Sequence, residues 1–334
     1  MKLICGPMAT ISHPAFRILI EKFGGCDEYF TEMINAGTLL TNGQFEKYYI
    51  DPHPVPEKVV WQLTGHDCFH MKDAAAMLLD LPGIGIDLNM GCSAPDIYRY
   101  GAGIGWMLKP VSETMQMVRS VAEEVKKHNE VSGEKKRLSV KLRLGDDNFT
   151  EEVFFDFCDK LVENGAELLT LHPRTKKEKL VRPPRYIYCE KLALRYKNKI
   201  PVYLNGNVKD ADSACAAIKV CPNVSGIMIS RAAVQKPWIF KLLDSSLNKK
   251  QTEAFDVDLK QLAFDYISDV EVFQPKEFWK TRLQRFFTYY ANNFKFSHYA
   301  QTQFINASDN DDLRARISDF FEKCPEEKIL RVGF

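Results

Sequence analysis

Cys92 is the residue from which the chemistry of this chain can be argued. It follows Asn89-Met90-Gly91 and is followed by a second glycine turn, Gly101-Ala102-Gly103. The ordinary fate of a cysteine is inert burial, but a thiol in a glycine-flanked loop can reach a substrate and exchange a proton with it. Further chemistry stands at the ends of apolar runs. Lys141 lies inside Leu138–Leu142, His172 and Arg174 follow Leu168–Leu171, Asn205-Gly206-Asn207 follows Val202–Leu204, and Ser230-Arg231 follows Gly226–Ile229. A lysine beside a redox ring is a common means of holding negative charge there. Glycine turns with free N–H groups and an arginine suit a phosphate. A phosphate anchor with polar hydrogen-bonding groups across from it points to a flavin mononucleotide.

Two other patterns lead nowhere. His66-Asp67-Cys68-Phe69-His70 places histidines at i and i+4, but Asp67 is more simply the cap of a helix from Met71 to Leu79, so no metal is expected. Gly101-Ala102-Gly103-Ile104-Gly105 lacks the G-x-G-x-x-G spacing of a dinucleotide fingerprint.

The elements that must position these residues are eight short apolar runs: Leu3–Cys5, Tyr29–Thr31, Val59–Leu63, Gly85–Asn89, Leu138–Leu142, Leu168–Leu171, Val202–Leu204 and Gly226–Ile229. Most are separated by amphipathic helical stretches such as Thr114–Lys127 and Glu151–Asn164, the alternation of parallel βα units. Eight units over about 240 residues fit an α/β fold of the (β/α)8 TIM-barrel type, whose chemistry gathers at the C-terminal strand ends. After Leu243 no strand-like run is seen. Trp279, Leu283, Phe286 and Tyr290 make one helical stripe, and Asp311–Phe321 reads as another helix. The expected division is a catalytic barrel over 1–242 and a small all-α helical domain over 243–334, with Leu247–Thr252 as linker. Lys126–Arg137 reads as a solvated loop.

Composition narrows the class. The 334 residues carry 45 Lys+Arg against 44 Asp+Glu, and 45% are hydrophobic. That excludes a disordered chain, and a net charge of +1 means that any nucleic-acid surface must be local. No apolar stretch nears the roughly 20 residues of a membrane helix, and Met1–Pro7 is too short in apolar content for a secretory signal to be expected there. Nine scattered cysteines without a C-x-x-C pair fit reduced thiols in the cytoplasm.

Read as motifs, these residues resemble the flavin-dependent tRNA-dihydrouridine synthases over nearly the whole chain. Asp87-Leu88-Asn89-Met90-Gly91-Cys92-Ser93-Ala94-Pro95 is similar to the family signature Asp-x-Asn-x-Gly-Cys-Pro, with Ser93 where proline is common. Gly6-Pro7-Met8-Ala9 resembles the family's Ala-Pro-Met-Ala start, which implies that Pro7, Met8 and Ala9 lie against the flavin. Trp61-Gln62-Leu63-Thr64-Gly65, Val140-Lys141-Leu142-Arg143-Leu144-Gly145, Leu171-His172-Pro173-Arg174 and Leu204-Asn205-Gly206-Asn207 are similar to the remaining flavin-contact motifs. Ser230-Arg231 stands where the family has Gly-Arg, and the Gln-x-Tyr-x-Gly segment usual after Thr175 is replaced by a basic stretch.

The resemblance implies reduction of uridine in tRNA to 5,6-dihydrouridine, with FMN as cofactor and NADPH as reductant. Hydride would reach C6 of the base, and Cys92, as a neutral thiol, would protonate C5. Gln62 and Lys141 would hold the flavin ring, with Asn89 and His172 beside it. Asn205, Gly206, Asn207, Ser230 and Arg231 would hold the phosphate. A base in a barrel mouth must be flipped out of its stack, so a basic surface is needed nearby. The segment Arg174–Arg185 has six basic residues against one Glu, and Lys276, Lys280, Arg282 and Arg285 alternate with aromatics. Arg174, Arg182, Arg185, Arg282 and Arg285 are the expected RNA contacts, whereas Trp279 and Phe286 are expected in the helical core. No protein partner is expected, and the chain should act as a monomer. The competing readings are a flavin oxidoreductase for a free pyrimidine, resembling dihydroorotate dehydrogenase, and an RNA-binding chaperone without catalysis. The first has no use for the basic tail, and the second none for Cys92 and Lys141.

Overall fold

A computed structural model of the chain describes residues 1–146, 148–178, 181–249 and 253–333. Eight parallel strands close into a barrel: β1 (Lys2–Cys5), β2 (Glu28–Phe30), β3 (Val59–Thr64), β4 (Gly85–Met90), β5 (Arg137–Arg143), β6 (Leu168–His172), β7 (Val202–Asn205) and β8 (Gly226–Ile229). Each pairs with the next, and β8 returns to β1 with Leu3 opposite Ile227. All eight expected runs are strands, including the short β2. A two-residue strand, Ile34–Asn35, adds to the edge of β3.

Strand periodicity explains how polar residues come to sit inside apolar runs. Successive side chains point to opposite faces, so in β5 Leu138, Val140 and Leu142 join the core beneath the helices. Arg137, Ser139, Lys141 and Arg143 are left to the barrel interior. Three layers result. At the N-terminal end Glu28 is fully buried and bound by Arg137, by Lys2 at 2.8 Å and by the Tyr203 hydroxyl at 2.9 Å. Burial alone would raise its pKa, but Arg137 and Lys2 outweigh burial and hold it below the ordinary value. The middle layer is Ile4, Phe30, Val60, Leu168, Tyr203 and Met228. Burying each such side chain contributes about 1.5–3 kcal/mol. The polar C-terminal layer lies above it.

The helices that cover the barrel are α1 (Pro14–Glu21), α2 (Cys68–Leu79), α3 (Val111–Ser132), α4 (Glu151–Glu163), α5 (Ile187–Arg195), α6 (Ala211–Val220), the short α7 (Arg231–Gln235) and α8 (Ile239–Asn248). Asp67 caps α2 by accepting from the His70 N–H, so the helix begins earlier than Met71. The stretch from Lys126 to Arg137 is not a solvated loop. Helix α3 continues to Ser132, the Lys136 ammonium is buried against the carbonyls of Leu79 and Leu81, and Arg137 opens β5. Helix α8 runs through the expected boundary at 242/243 and packs on α6 and β1. Residues 250–252 of the expected linker lie outside the described residues.

Four helices follow: α9 (Leu259–Phe273), α10 (Lys276–Tyr290), α11 (Ser297–Ile305) and α12 (Asn310–Lys323). Their core is aromatic, with Tyr266 stacked on Phe286 at 3.8 Å between centroids and Phe287, Tyr290, Phe294, Phe304 and Phe320 around them. Trp279 is half-buried and donates from Nε1 to the Gln274 carbonyl. The expectation of no strand after Leu243 is corrected: β9 (Phe255–Asp258) and β10 (Ile329–Val332) pair antiparallel and tie the ends of this segment together. It packs on the barrel through α9 against α1 and α10 against α7. No helix among the described residues is long and apolar enough to cross a membrane.

Candidate active site

The barrel alternation brings Gln62, Asp87, Asn89, Lys141 and His172 to one polar layer at the C-terminal mouth. Register puts Gln62 beside Asp87 across β3–β4, Asn89 beside Lys141 across β4–β5, and Arg143 beside His172 across β5–β6. One continuous hydrogen-bond relay runs through the first of these. The Ser139 hydroxyl donates to Asp87 Oδ1 at 2.7 Å, and Gln62 Nε2 donates to Asp87 Oδ2 at 2.8 Å. Asn89 Nδ2 donates to Gln62 Oε1 at 2.8 Å. Asn89 Oδ1 then accepts from the backbone N–H groups of Gly91 and Cys92 at 3.2 and 3.0 Å.

The Cys92 loop is therefore held from inside the barrel, and Cys92 itself is half-buried. Arg143 adds a second tether by donating from Nε to the Gly91 carbonyl at 2.9 Å. Gly103 explains the later glycine turn. Its φ is +57°, and a Cβ there would stand 2.7 Å from the Cys92 carbonyl oxygen.

The layer is electrostatically lopsided. Lys141, half-buried, is lowered to about 8, by burial first and then by the charge of Arg143. His172 is buried and pushed far below its ordinary value by burial, with Arg143, Lys141, Arg174 and Arg231 adding to the effect. Several cations thus converge on a neutral imidazole.

Beside His172 lies a pocket of about 300 Å³ lined by Asn205, Gly206, Asn207, Ser230, Arg231 and Tyr289 of α10, among others. Asn205 is buried and donates to the Met228 carbonyl at 2.9 Å. Gly206 has φ +122°, and a Cβ there would meet His172 Cδ2 at 2.8 Å. The Tyr186 hydroxyl donates to the Gly206 carbonyl at 2.6 Å, which turns that loop. Pro7 and Met8 are half-buried and Ala9 is exposed at the end of β1. Gly6 lies so close to β8 that a Cβ would stand 2.4 Å from Ser230 Oγ.

These residues fit a flavin mononucleotide. The pocket between the last two βα loops offers cations and a glycine cradle for a phosphate, and Lys141 and Gln62 offer donors for a ring. Inside the barrel, opposite Lys141 in register, the buried Thr170 hydroxyl has no protein partner. Among the described residues no group of three or more His, Cys, Asp or Glu side chains could hold a metal.

The expected RNA contacts divide. Arg182 and Arg285 are exposed. Arg185 is half-buried, paired with Glu178 at 3.2 Å and stacked against Phe149 and Tyr188. Arg174 and Arg282 are corrected. Arg174 is buried, donating to His172 Nε2 at 2.8 Å and to the Arg182 carbonyl at 2.5 Å. Arg282 is buried in an ion pair with Glu32, whose other oxygen accepts from the Thr10 N–H at 2.5 Å. Neither cation faces solvent. Lys179, within the basic stretch, lies outside the described residues.

Sequence reasoning passed over Asp87, Ser139, Arg143 and Tyr289 as site residues. The period of two was the available signal for the first three, since it puts Asp87 on the face of Asn89, and Ser139 and Arg143 on the face of Lys141.

Comparison with known proteins adds a family. The family described as Dihydrouridine synthase (Dus) matches residues 3–323. A probable tRNA-dihydrouridine synthase of Helicobacter pylori is 27% identical over 249 residues, covering 74% of this chain and 71% of that protein. A probable tRNA-dihydrouridine synthase of Aquifex aeolicus is 27% identical over 276 residues, covering 80% and 81%. The tRNA-dihydrouridine synthase B of Pseudomonas aeruginosa is 24% identical over 325 residues, covering 96% and 92%.

Proposed function

The chain belongs to the dihydrouridine synthase family, and on that premise we propose that it reduces a uridine of tRNA to 5,6-dihydrouridine, with FMN as its flavin and NADPH as reductant. The observation that supports this most is the half-buried Cys92, whose loop is fixed at the barrel mouth by Asn89 and Arg143 beside the cation-rich layer. A bound flavin supplies the hydride for C6 of the base.

Everything else falls to the protein. Cys92 delivers a proton to C5 from the opposite face, in the manner of a general acid. Gln62 and Lys141 hold the flavin pyrimidine ring, and the positive Lys141 favours negative charge there. Asn89 orients the Cys92 loop and the ring or base. His172, neutral and fixed by Arg174, donates rather than carries charge. Asn205, Gly206, Asn207, Ser230 and Arg231 bind the phosphate, and the backbone of Pro7, Met8 and Ala9 backs the ring.

The uridine reaches this layer only when flipped out of the RNA stack. The exposed Arg182 and Arg285, with the half-buried Arg185, engage the phosphates, so the docking surface is shared by the loop after β6 and the helical segment, while the barrel interior carries the chemistry. The protein works as a monomer in the cytoplasm.

The experiment is direct. Purified protein with FMN, NADPH and unmodified tRNA should yield dihydrouridine in nuclease digests of the RNA, and free uracil should be left unreduced. No dihydrouridine from tRNA, or reduction of free uracil alone, would overturn the reading.

A further inference from the structure

Asp87 is a fully buried carboxylate that the reaction above does not use. We propose that Asp87 is a positioning residue whose carboxylate sets the direction of the amide relay, and thereby decides which atoms Gln62 and Asn89 present to the pocket and how the Cys92 loop is held. The inference rests on the proposed reaction for its consequence in turnover, but not for its geometry.

Donors and acceptors fix the direction of the relay. An ionised carboxylate only accepts, and Asp87 takes the Ser139 O–H and the Gln62 Nε2–H. The Gln62 amide cannot reverse without setting its oxygen against Asp87 Oδ2. With Nε2 committed to Asp87, Oε1 faces Asn89, which must answer with Nδ2. That leaves Asn89 Oδ1 for the N–H groups of Gly91 and Cys92. The far end of the relay is also fixed, because two backbone donors need an acceptor. A relay with acceptors demanded at one end and donors at the other has a single consistent direction, and a reversed amide within it would set two like groups together.

The surroundings support an ionised Asp87 at neutral pH, near the edge of its range. Burial raises it to about 6, against the pull of the Gln62 and Ser139 hydrogen bonds and of two charges, Lys141 and Arg137. Both cations come from β5, and Arg137 is itself committed to Glu28. From β3 it faces the neutral Gln62.

Ser139 provides the discriminating test. Its hydroxyl also reaches the Ile86 carbonyl, at 3.3 Å. An asparagine at 87 can keep its oxygen toward Gln62 only by giving its NH2 to Ser139 Oγ, with the serine proton turned to Ile86. Asp87→Asn should therefore be tolerated with a loss of severalfold. Ser139→Ala should likewise be mild, because the carboxylate remains. The combination Asp87→Asn with Ser139→Ala leaves the asparagine NH2 without its serine acceptor when the oxygen serves Gln62, and the reversed amide sets two donors together, so neither orientation satisfies the relay. It should lose roughly 10–100-fold in tRNA turnover, the scale of an ångström-sized misplacement. That is more than the product of the single effects.

The second readout needs neither cofactor nor RNA. In flavin-free protein labelled with 15N-cysteine, the Cys92 amide should exchange with solvent about tenfold faster in the double variant than in wild type, as expected when an acceptor worth about 1.4 kcal/mol is removed. Additive effects on turnover together with unchanged Cys92 amide exchange would overturn the relay while leaving the reaction in place. Failure of the wild type to reduce tRNA would sink the reaction and leave the exchange result to judge the relay.

Discussion

Arg174 donates from Nη1 to His172 Nε2 at 2.8 Å, and because a guanidinium has no acceptor, that contact holds the imidazole neutral with its proton on Nδ1. The pair turns a basic strand-end motif into a fixed donor at the pocket, and it takes Arg174 away from the RNA.

His172 should accordingly show no titration between about pH 5 and 8. Histidine-selective 15N NMR of the flavin-free protein would report a persistent Nδ1–H tautomer, and a midpoint in that range would refute the assignment. Its folded pKa lies below the ordinary 6.5, so the sign follows. The neutral imidazole stabilises the fold above about pH 6.5, and that contribution is lost progressively as the pH falls. Arg174→Met removes one repelling cation and should raise the His172 midpoint.

Cys92→Ala should keep its flavin and still be reduced by NADPH. Turnover on tRNA should fall by a factor on the order of 10²–10⁴, the worth of a general acid. Single-turnover kinetics with dihydrouridine as the product separate the two half-reactions, and wild-type turnover would remove Cys92 from the mechanism.

Lys141→Ala and Arg231→Ala should both weaken flavin retention after gel filtration, the first at the ring and the second at the phosphate. Lys141 is lowered to about 8, so its charge is present below that pH and disappears as the pH rises through it. Flavin retention in the wild type should decline above about pH 8, and Lys141→Ala should flatten that decline. Full occupancy in both variants would mean that the cofactor lies elsewhere.

The arginines expected at the RNA should separate into two groups. Arg182→Ala, Arg185→Ala and Arg285→Ala together should lower tRNA affinity and flatten the slope of log K against log salt, by up to about 0.7–0.9 for each phosphate no longer neutralised. Flavin content should not change. Arg282→Met should instead destabilise the fold by about 3–5 kcal/mol, because it strands the buried Glu32 carboxylate. Glu32→Gln with Arg282→Met should restore much of that stability. Denaturant midpoints and salt titrations check both groups, and a salt-slope effect from Arg282→Met without destabilisation would reverse its assignment.

Much of the fold was legible because its signals are local. The alternation Leu138, Val140, Leu142 against Ser139, Lys141, Arg143 is set by the pleat of one strand, and the turn after Asn205 by the one residue type that accepts φ +122° beside His172. The strand ends that carry Cys92, Lys141 and His172 follow from counting such runs. Three features were decided only by tertiary structure. Whether a long cation is solvated or sealed depends on what a distant segment brings to it, and Arg282 meets Glu32 across 250 residues of chain. Strands β9 and β10 are interrupted by the charges of Asp256, Asp258 and Arg331 and so make no unbroken apolar run, and they exist because each closes the other's ladder. The buried Lys136 depends on the two carbonyls that end the α2 unit. Residue type and period specify the face a side chain takes, but only the folded chain supplies the partner that makes a buried charge tolerable.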